Sequence, residues 1–366
     1  MRNSRAEDVG PAGADEREKT VAGGAAGLSG EDAGDSFFEG GRSGETSAPG
    51  PSGWPAVLDV TLSARGGRTV VEKSFFRGPL LIQRPFYPEK EPPGSGRGKP
   101  ARARPAHLYV LHPPGGLVGG DSLDVRLTLK DGAHALVTSP SGAKIYKGRG
   151  DGLPQTSLAS ACLGEGAVLE WLPAPTIVFS GAGARLGFDL SLAPGARALG
   201  CETTILGRPV SGMAFEEGSL RQMLRVSRGG RLLFRDLLVV RGGSDQLASP
   251  FSLAGQNALA VFWAVGRAGD EDDLKALNGA RDALACFCRD GGELADGRGR
   301  DGEGGRRGPE VLRTARWSAT VRKGVFLARA LTSTQQQAED FREVVWRTLR
   351  PTFLGREARS PGIWAT

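Results

Sequence analysis

Short runs of mixed apolar and polar residues dominate this chain. "RTVVEKSFF", "PLLIQRPFY", "HLYVLH", "SLDVRLTLK", "HALVTSP", "TIVFSG" and "RLLFRDLLVVRGG" are rich in β-branched or aromatic side chains and bounded by turn residues. Several alternate at two-residue spacing, which puts one side of the segment into a core and predicts strands. A weak repeat runs through them. In "LTLKDGAHALVTSP", "ACLGEGAVLEWLP" and "LSLAPGARALGCET" a strand leads to a turn, and Gly-Ala opens the next strand. The Gly-Ala pairs begin at 132, 166 and 195, spacings of 34 and 29 residues. Such recurrence predicts strands stacked in coils, while the unequal spacing argues against a strict solenoid. The expected fold is mainly β, with β-helix-like layered strands and two or so α-helices toward the C-terminal half.

Helical periodicity occurs twice. "DEDDLKALNGARDALACFC" (270–288) opens on acids that suit a helix N-terminus, and Leu274, Leu277, Ala280, Leu284 and Phe287 share a face. After the strand-like "KGVFLARALTS", Thr334 and Gln337 have capping-box spacing. Ala338, Phe341, Val345 and Leu349 then form a stripe, and Pro351 is expected to stop the helix. Residues 1–52 have almost no apolar pattern and read as a disordered acidic tail. Residues 53–366 read as one β domain, with flexible insertions at 88–106 and 289–310 that are rich in Gly, Pro or Arg.

Composition narrows the function. The 366 residues include 56 glycines and 23 prolines, but only three tyrosines and three histidines, so few groups can move protons near neutrality. Four cysteines in a chain this long predict reduced, mostly buried thiols. The absence of a long apolar run or an h-region predicts a soluble, cytoplasmic protein with no membrane partner. Net charge is +6, but residues 1–52 carry −5 and the rest +11. A basic body without nucleic-acid motifs or interleaved aromatics points to an acidic protein surface and not to nucleic acid.

The densest glycine turn, "HLYVLHPPGGLVGGDSL" (107–123), is the first candidate for chemistry. Asp121 follows Gly119-Gly120 where a phosphate loop needs Lys-Ser/Thr, and a strand follows where a dinucleotide site needs a helix. Gly115, Gly116, Gly119 and Gly120 are read instead as a close crossing of backbones, with Asp121 closing the turn by local hydrogen bonds. His107 and His112 point to opposite strand faces, and His134 stands alone; His112 with Asp121 is the sharper candidate for a transient metal site. Cys286 and Cys288 lack the second pair a structural zinc site needs. No nucleophile elbow is present. Lys144 and Tyr146 share a strand face as a contact surface. Glu170 and Glu202 lie in apolar strands, so each is either paired with an arginine such as Arg208 or lines a wet cavity.

Taken together, "LLIQRPFYPE", "HLYVLHPPGGLVGGDSL", "SPSGAKIYK", "LEWLPAPTIVFSGA", "LGRPVSG" and the terminal "IWAT" resemble the urease accessory protein D family, in its order and over about residues 54–366. The resemblance implies a β-helix-like, non-enzymatic maturation factor. Its implied partners are the urease apoprotein, accessory protein F and, through F, the GTPase accessory protein G. It further implies no tightly bound cofactor and transient nickel in an internal water-filled path, which His112, Asp121, Glu170 and Glu202 would line or support. Ala174-Pro175-Thr176 departs from the Gln-Glu-Thr usual in that family. An autonomous nickel carrier and a β-helix enzyme acting on acidic polysaccharide are the alternatives.

Overall fold

The computed structural model describes residues 37–38, 53–89, 103–290 and 308–365. The chain divides into two compact units, Met1–Gly40 and Gly41–Thr366. Of the first, Phe37 and Phe38 are described; their rings meet edge-on at 5.2 Å between centroids. All that follows concerns the second. The tail read at 1–52 lies otherwise outside the described residues, as do 90–102 and 291–307 of the two insertions.

The strands run in chain order: β1 (Pro55–Arg65), β2 (Arg68–Arg77), β3 (Leu81–Ile82), β4 (Ala106–Leu111), β5 (Gly116–Leu117) and β6 (Ser122–Leu129). There follow β7 (His134–Thr138), β8 (Ala143–Ile145), β9 (Gln155–Leu163), β10 (Val168–Trp171), β11 (Thr176–Val178) and β12 (Ala182–Leu192). Next come β13 (Arg197–Leu206), β14 (Gly218–Arg228), β15 (Arg231–Arg241) and β16 (Ala258–Val265). Helices α1 (Glu271–Asp290) and α2 (Gly308–Thr314) precede β17 (Arg316–Arg322) and β18 (Val325–Thr332), and α3 (Gln335–Leu354) follows.

These strands form two stacked sheets. The first has the order β15-β14-β12-β9-β6-β1-β2; the second follows β17-β18-β16-β13-β10-β7-β4-β3, with β5, β8 and β11 attached. From β6 to β13 the chain passes from one sheet to the other and back, and successive coils pair in parallel. Ser122 pairs with Thr156 and His134 with Val168, both offsets of 34; Gln155 pairs with Ala184 and Val168 with Arg197, both 29. The Gly-Ala spacing is thus the length of each coil, read identically in both sheets. Antiparallel pairs β1–β2, β14–β15 and β13–β16–β18–β17 finish the stack, which is why it is layered and not an open solenoid.

Strand alternation then sorts two cores. Leu123, Val125, Leu169, Trp171, Phe188 and Leu224 fill the space between the sheets. Leu136, Leu199, Cys201, Phe262 and Phe326 face the other way and meet the helices through Leu277, Phe341, Val345 and Leu349. On α1, Leu277, Ala280 and Leu284 are buried as expected, but Leu274 is 42% exposed because the buried stripe passes through its neighbour Asp273 in that turn. Phe287's side chain lies outside the description.

Thr334 caps α3, its side chain accepting the Gln337 N–H at 3.2 Å, while the Gln337 carboxamide reaches back to the Ser333 N–H at 3.2 Å. Pro351 does not end the helix. It lies in the final turn, where it forgoes one backbone bond, that to the Arg347 carbonyl, and leaves the earlier turns intact. Phe353 and Leu354 hold that turn by burial, and Gly355 at φ 66° terminates it. Glu89 and residues 103–106, read as part of an insertion, are ordered: Glu89, Ala103 and Ala106 are buried and β4 opens at Ala106. Residues 308–314, partly read as linker, form α2.

Candidate functional site

Two polar centres lie on opposite faces of the second sheet. The acids Glu170 and Glu202, one strand apart on β10 and β13, are sorted between them by alternation.

Glu170 points to the helix side and is fully buried. Arg350 of α3 binds it in fork geometry, Nε to Oε2 at 2.8 Å and Nη2 to Oε1 at 2.9 Å. The Trp346 indole donates to Oε2 at 2.9 Å, and His134 Nε2 lies 2.9 Å from Oε1. Arg350 also reaches Glu89, which is bonded to His107 Nε2 at 2.9 Å and pairs with Arg356 at 3.6 Å. Burial alone would raise the Glu170 carboxyl; Arg350 and the His134 hydrogen bond outweigh it and hold the pKa far below the usual range. Glu89 is lowered in the same way, His107 and Arg350 overcoming its desolvation. His134 is pushed down by burial, against the pull of Glu170. The pairing expected for Glu170 is therefore real, but with Arg350, 180 residues away, and not with Arg208. Arg208 is exposed, stacks 5.4 Å above Phe179 and bridges to Met213. Glu170 is not part of the lining of the cavity between the sheets; its bonds fasten α3 to β10.

Glu202 points between the sheets. There a cavity of about 410 Å³ is walled by Leu123 and Val125 (β6), Ser157 and Ala159 (β9), Trp171 (β10), Leu186 (β12), Thr204 (β13) and Gln222 (β14). His112, Pro113 and Gly115 on one side and Ser139–Ala143 on the other also border it. Glu202 accepts a hydrogen bond from Gln222 Nε2 at 3.2 Å, and Gln222 in turn accepts from Thr204 Oγ1 at 2.8 Å. No arginine offsets its desolvation; burial, with a smaller contribution from the charge of Asp236, raises the carboxyl to about 7 despite Gln222. Glu202 is half-buried and borders the cavity. A smaller cavity of about 20 Å³ continues past Glu202 and Gln222 to Leu224, Asp236, Leu238, Leu259 and Val261. Asp236 and Gln222 gave no sequence signal; both lie in ordinary alternating strands.

The remaining predicted residues fall around this interior. His112 borders the cavity, and burial pushes its imidazole down against the opposing charge of Asp121. Asp121 itself closes the turn as expected, accepting the N–H groups of Val118 at 2.9 Å and Trp54 at 2.8 Å, and it does not border the cavity. At Gly116 an added Cβ would lie 2.3 Å from the Tyr146 ring and 2.9 Å from the Lys144 carbonyl oxygen, the close crossing read from the sequence. Gly119 packs against Arg149, and Gly120 takes φ 83° in the same turn. Lys144 is exposed, Ile145 buried, and Tyr146 half-buried edge-on to Phe179. Trp364 of the terminal "IWAT" docks here as well, its Nε1 donating to Thr138 Oγ1 at 2.9 Å beside the cavity wall. His107, Cys201 and His134 are buried, as is His134's partner; burial pushes the Cys201 thiol up to about 12, leaving it inert. Cys162 and Cys286 are exposed, against the expectation of mostly buried thiols. Among the described residues no helix is long and apolar enough to cross a membrane.

A family model described as the UreD urease accessory protein matches residues 55–365. The chain is 35% identical over 325 residues to the urease accessory protein UreD of Delftia acidovorans, covering 86% of this chain and 95% of that one. It is 35% identical over 318 residues to the UreD of Pseudomonas putida (87% and 96%), and 32% over 315 residues to that of Chromohalobacter salexigens (86% and 89%).

Proposed function

This chain belongs to the UreD family of urease accessory proteins, and on that premise we propose that it is a non-catalytic scaffold of urease maturation. It binds the urease apoprotein and accessory protein F, meets the GTPase accessory protein G through F, and offers nickel a route through its interior. The observation that carries this reading is the cavity between the sheets that ends on Glu202, an unpaired carboxyl raised to about 7.

Such a carboxyl suits transit. Near neutrality it is half protonated, so an arriving divalent ion displaces a proton and a departing one is replaced by it. Oxygen donors from Glu202, Gln222 and Thr204 hold a borderline ion loosely, whereas thiolate or several imidazoles would retain it. His112, kept neutral by burial, offers one nitrogen beside the cavity. An autonomous carrier would need a denser donor set; among the described residues no group of three or more His, Cys, Asp or Glu is placed to hold a metal ion. Co-purification of the full chain with urease apoprotein and accessory protein F tests the scaffold role. Capture of both is expected; a folded chain that captures neither overturns it.

A further inference from the structure

The interior has a second boundary, formed by residues outside those read from the sequence. Glu202 on β13 pairs across the sheet with Val261 on β16, and Val261 pairs with Arg329 on β18. Directly paired residues share a sheet face, so the three side chains stand in one row, with Glu202 and Arg329 about 10 Å apart. The first sheet answers this row with Gln222 on β14 and Asp236 on β15. Gln222 donates to Glu202 at 3.2 Å, and Arg329 Nη2 meets Asp236 Oδ2 at 2.9 Å.

Two polar contacts therefore bridge the sheets in series. Between them lies the 20 Å³ cavity, room for about one water molecule. It shares Glu202 and Gln222 with the large cavity on its inner side and has Asp236 in its wall. The Asp236 and Arg329 side chains keep 27% and 44% of their exposure, so this outer contact faces solvent. No backbone ladder joins β15 to β18, since β15 is an edge strand bonded to β14 alone. The pair can part without breaking either sheet.

We infer that the Asp236–Arg329 ion pair is the outer gate of the interior. When closed, the guanidinium stands between Glu202 and solvent, and its charge opposes a divalent cation. When open, it releases Asp236 as an oxygen ligand next to Glu202. The inference rests on the reading of the interior as a cation route, but its geometry can be tested apart from nickel.

Val261→Cys, in a full-length chain with Cys162, Cys286 and Cys288 changed to Ser, places a thiol in the small cavity. Its modification by a small methanethiosulfonate reagent, followed by mass, reports opening. Arg329→Ala should speed modification at least about threefold, the scale of losing one partly exposed ion pair. The exchanged pair, Asp236→Arg with Arg329→Asp, should restore the slow rate and excludes misfolding as the cause. Equal rates with and without Arg329, or no restoration by the exchange, overturn the gate. Nickel loading of urease by the Glu202→Gln variant is read separately. Faster modification in Arg329→Ala with undiminished loading by Glu202→Gln supports the gate and overturns the nickel route. Unchanged modification with lost loading overturns the gate and leaves the route.

Discussion

Replacing Glu202 by Gln should stabilise the folded chain above neutrality and change nothing below about pH 4.5. The carboxyl lies in a wall of carbon with one amide donor, and its pKa rises from 4.5 to about 7. An acid shifted upward keeps its proton in the folded chain after the unfolded chain has lost it. The stability attached to it is complete below pH 4.5 and is lost as pH rises through 7. A shift of that size corresponds to about 3 kcal/mol at 1.36 kcal/mol per pH unit, and the partial exposure of Glu202 lowers it to roughly 2 kcal/mol. Glutamine has the same shape, can keep the contact with Gln222 and does not ionise. Thermal unfolding of the two proteins across pH 4.5 to 8 is the assay. The difference in Tm should be near zero at the acid end, open through pH 7 and level off at about 3 °C. A gap that does not vary with pH, or a variant less stable at pH 8, would refute the assignment of a raised carboxyl to the cavity.

The ion network on the other sheet face predicts the opposite sign. Arg350→Met leaves Glu170 and Glu89 buried without their cation and should cost about 3–5 kcal/mol in urea unfolding. Because Glu89 and Glu170 are held below 4.5, their stabilisation is present above that pH and lost as pH falls through their folded values, so the Arg350→Met variant should unfold at higher pH on acid titration. Gly116→Ala would press a methyl group against the Lys144 carbonyl oxygen, which cannot move without shifting β8. It should cost about 1–3 kcal/mol by the same urea measurement.

Local pattern revealed much of this fold. The 34- and 29-residue recurrence is the coil length because each coil must return the chain to the same rung of both sheets. The Thr334 cap was visible because capping depends on neighbours three residues apart. What local pattern could not reveal depends on distant residues. Glu170 pairs with Arg350 because α3, packed on β16 and β18, lays its side chains across to β10, a contact between segments 180 residues apart. His134 stands alone in the sequence, yet it lies one coil of 34 plus two residues before Glu170, and the repeat carries that signal. Glu170 and Glu202 looked alike as acids in apolar strands. Only the side of the sheet that each faces separates an ion-paired fastener from an unpaired cavity acid. Pro351 failed as a stop signal because burial of Phe353 and Leu354 outweighs one missing backbone bond.

The account stands on the interior being used. Ser157→Trp sets an indole between Leu123 and Leu186, the cross-strand neighbours of Ser157 in the cavity wall. Nickel bound per urease active site, measured after activation with accessory proteins F and G, is the direct test. The account predicts that the variant still captures urease and accessory protein F but loads little nickel; full loading with the cavity obstructed would contradict it.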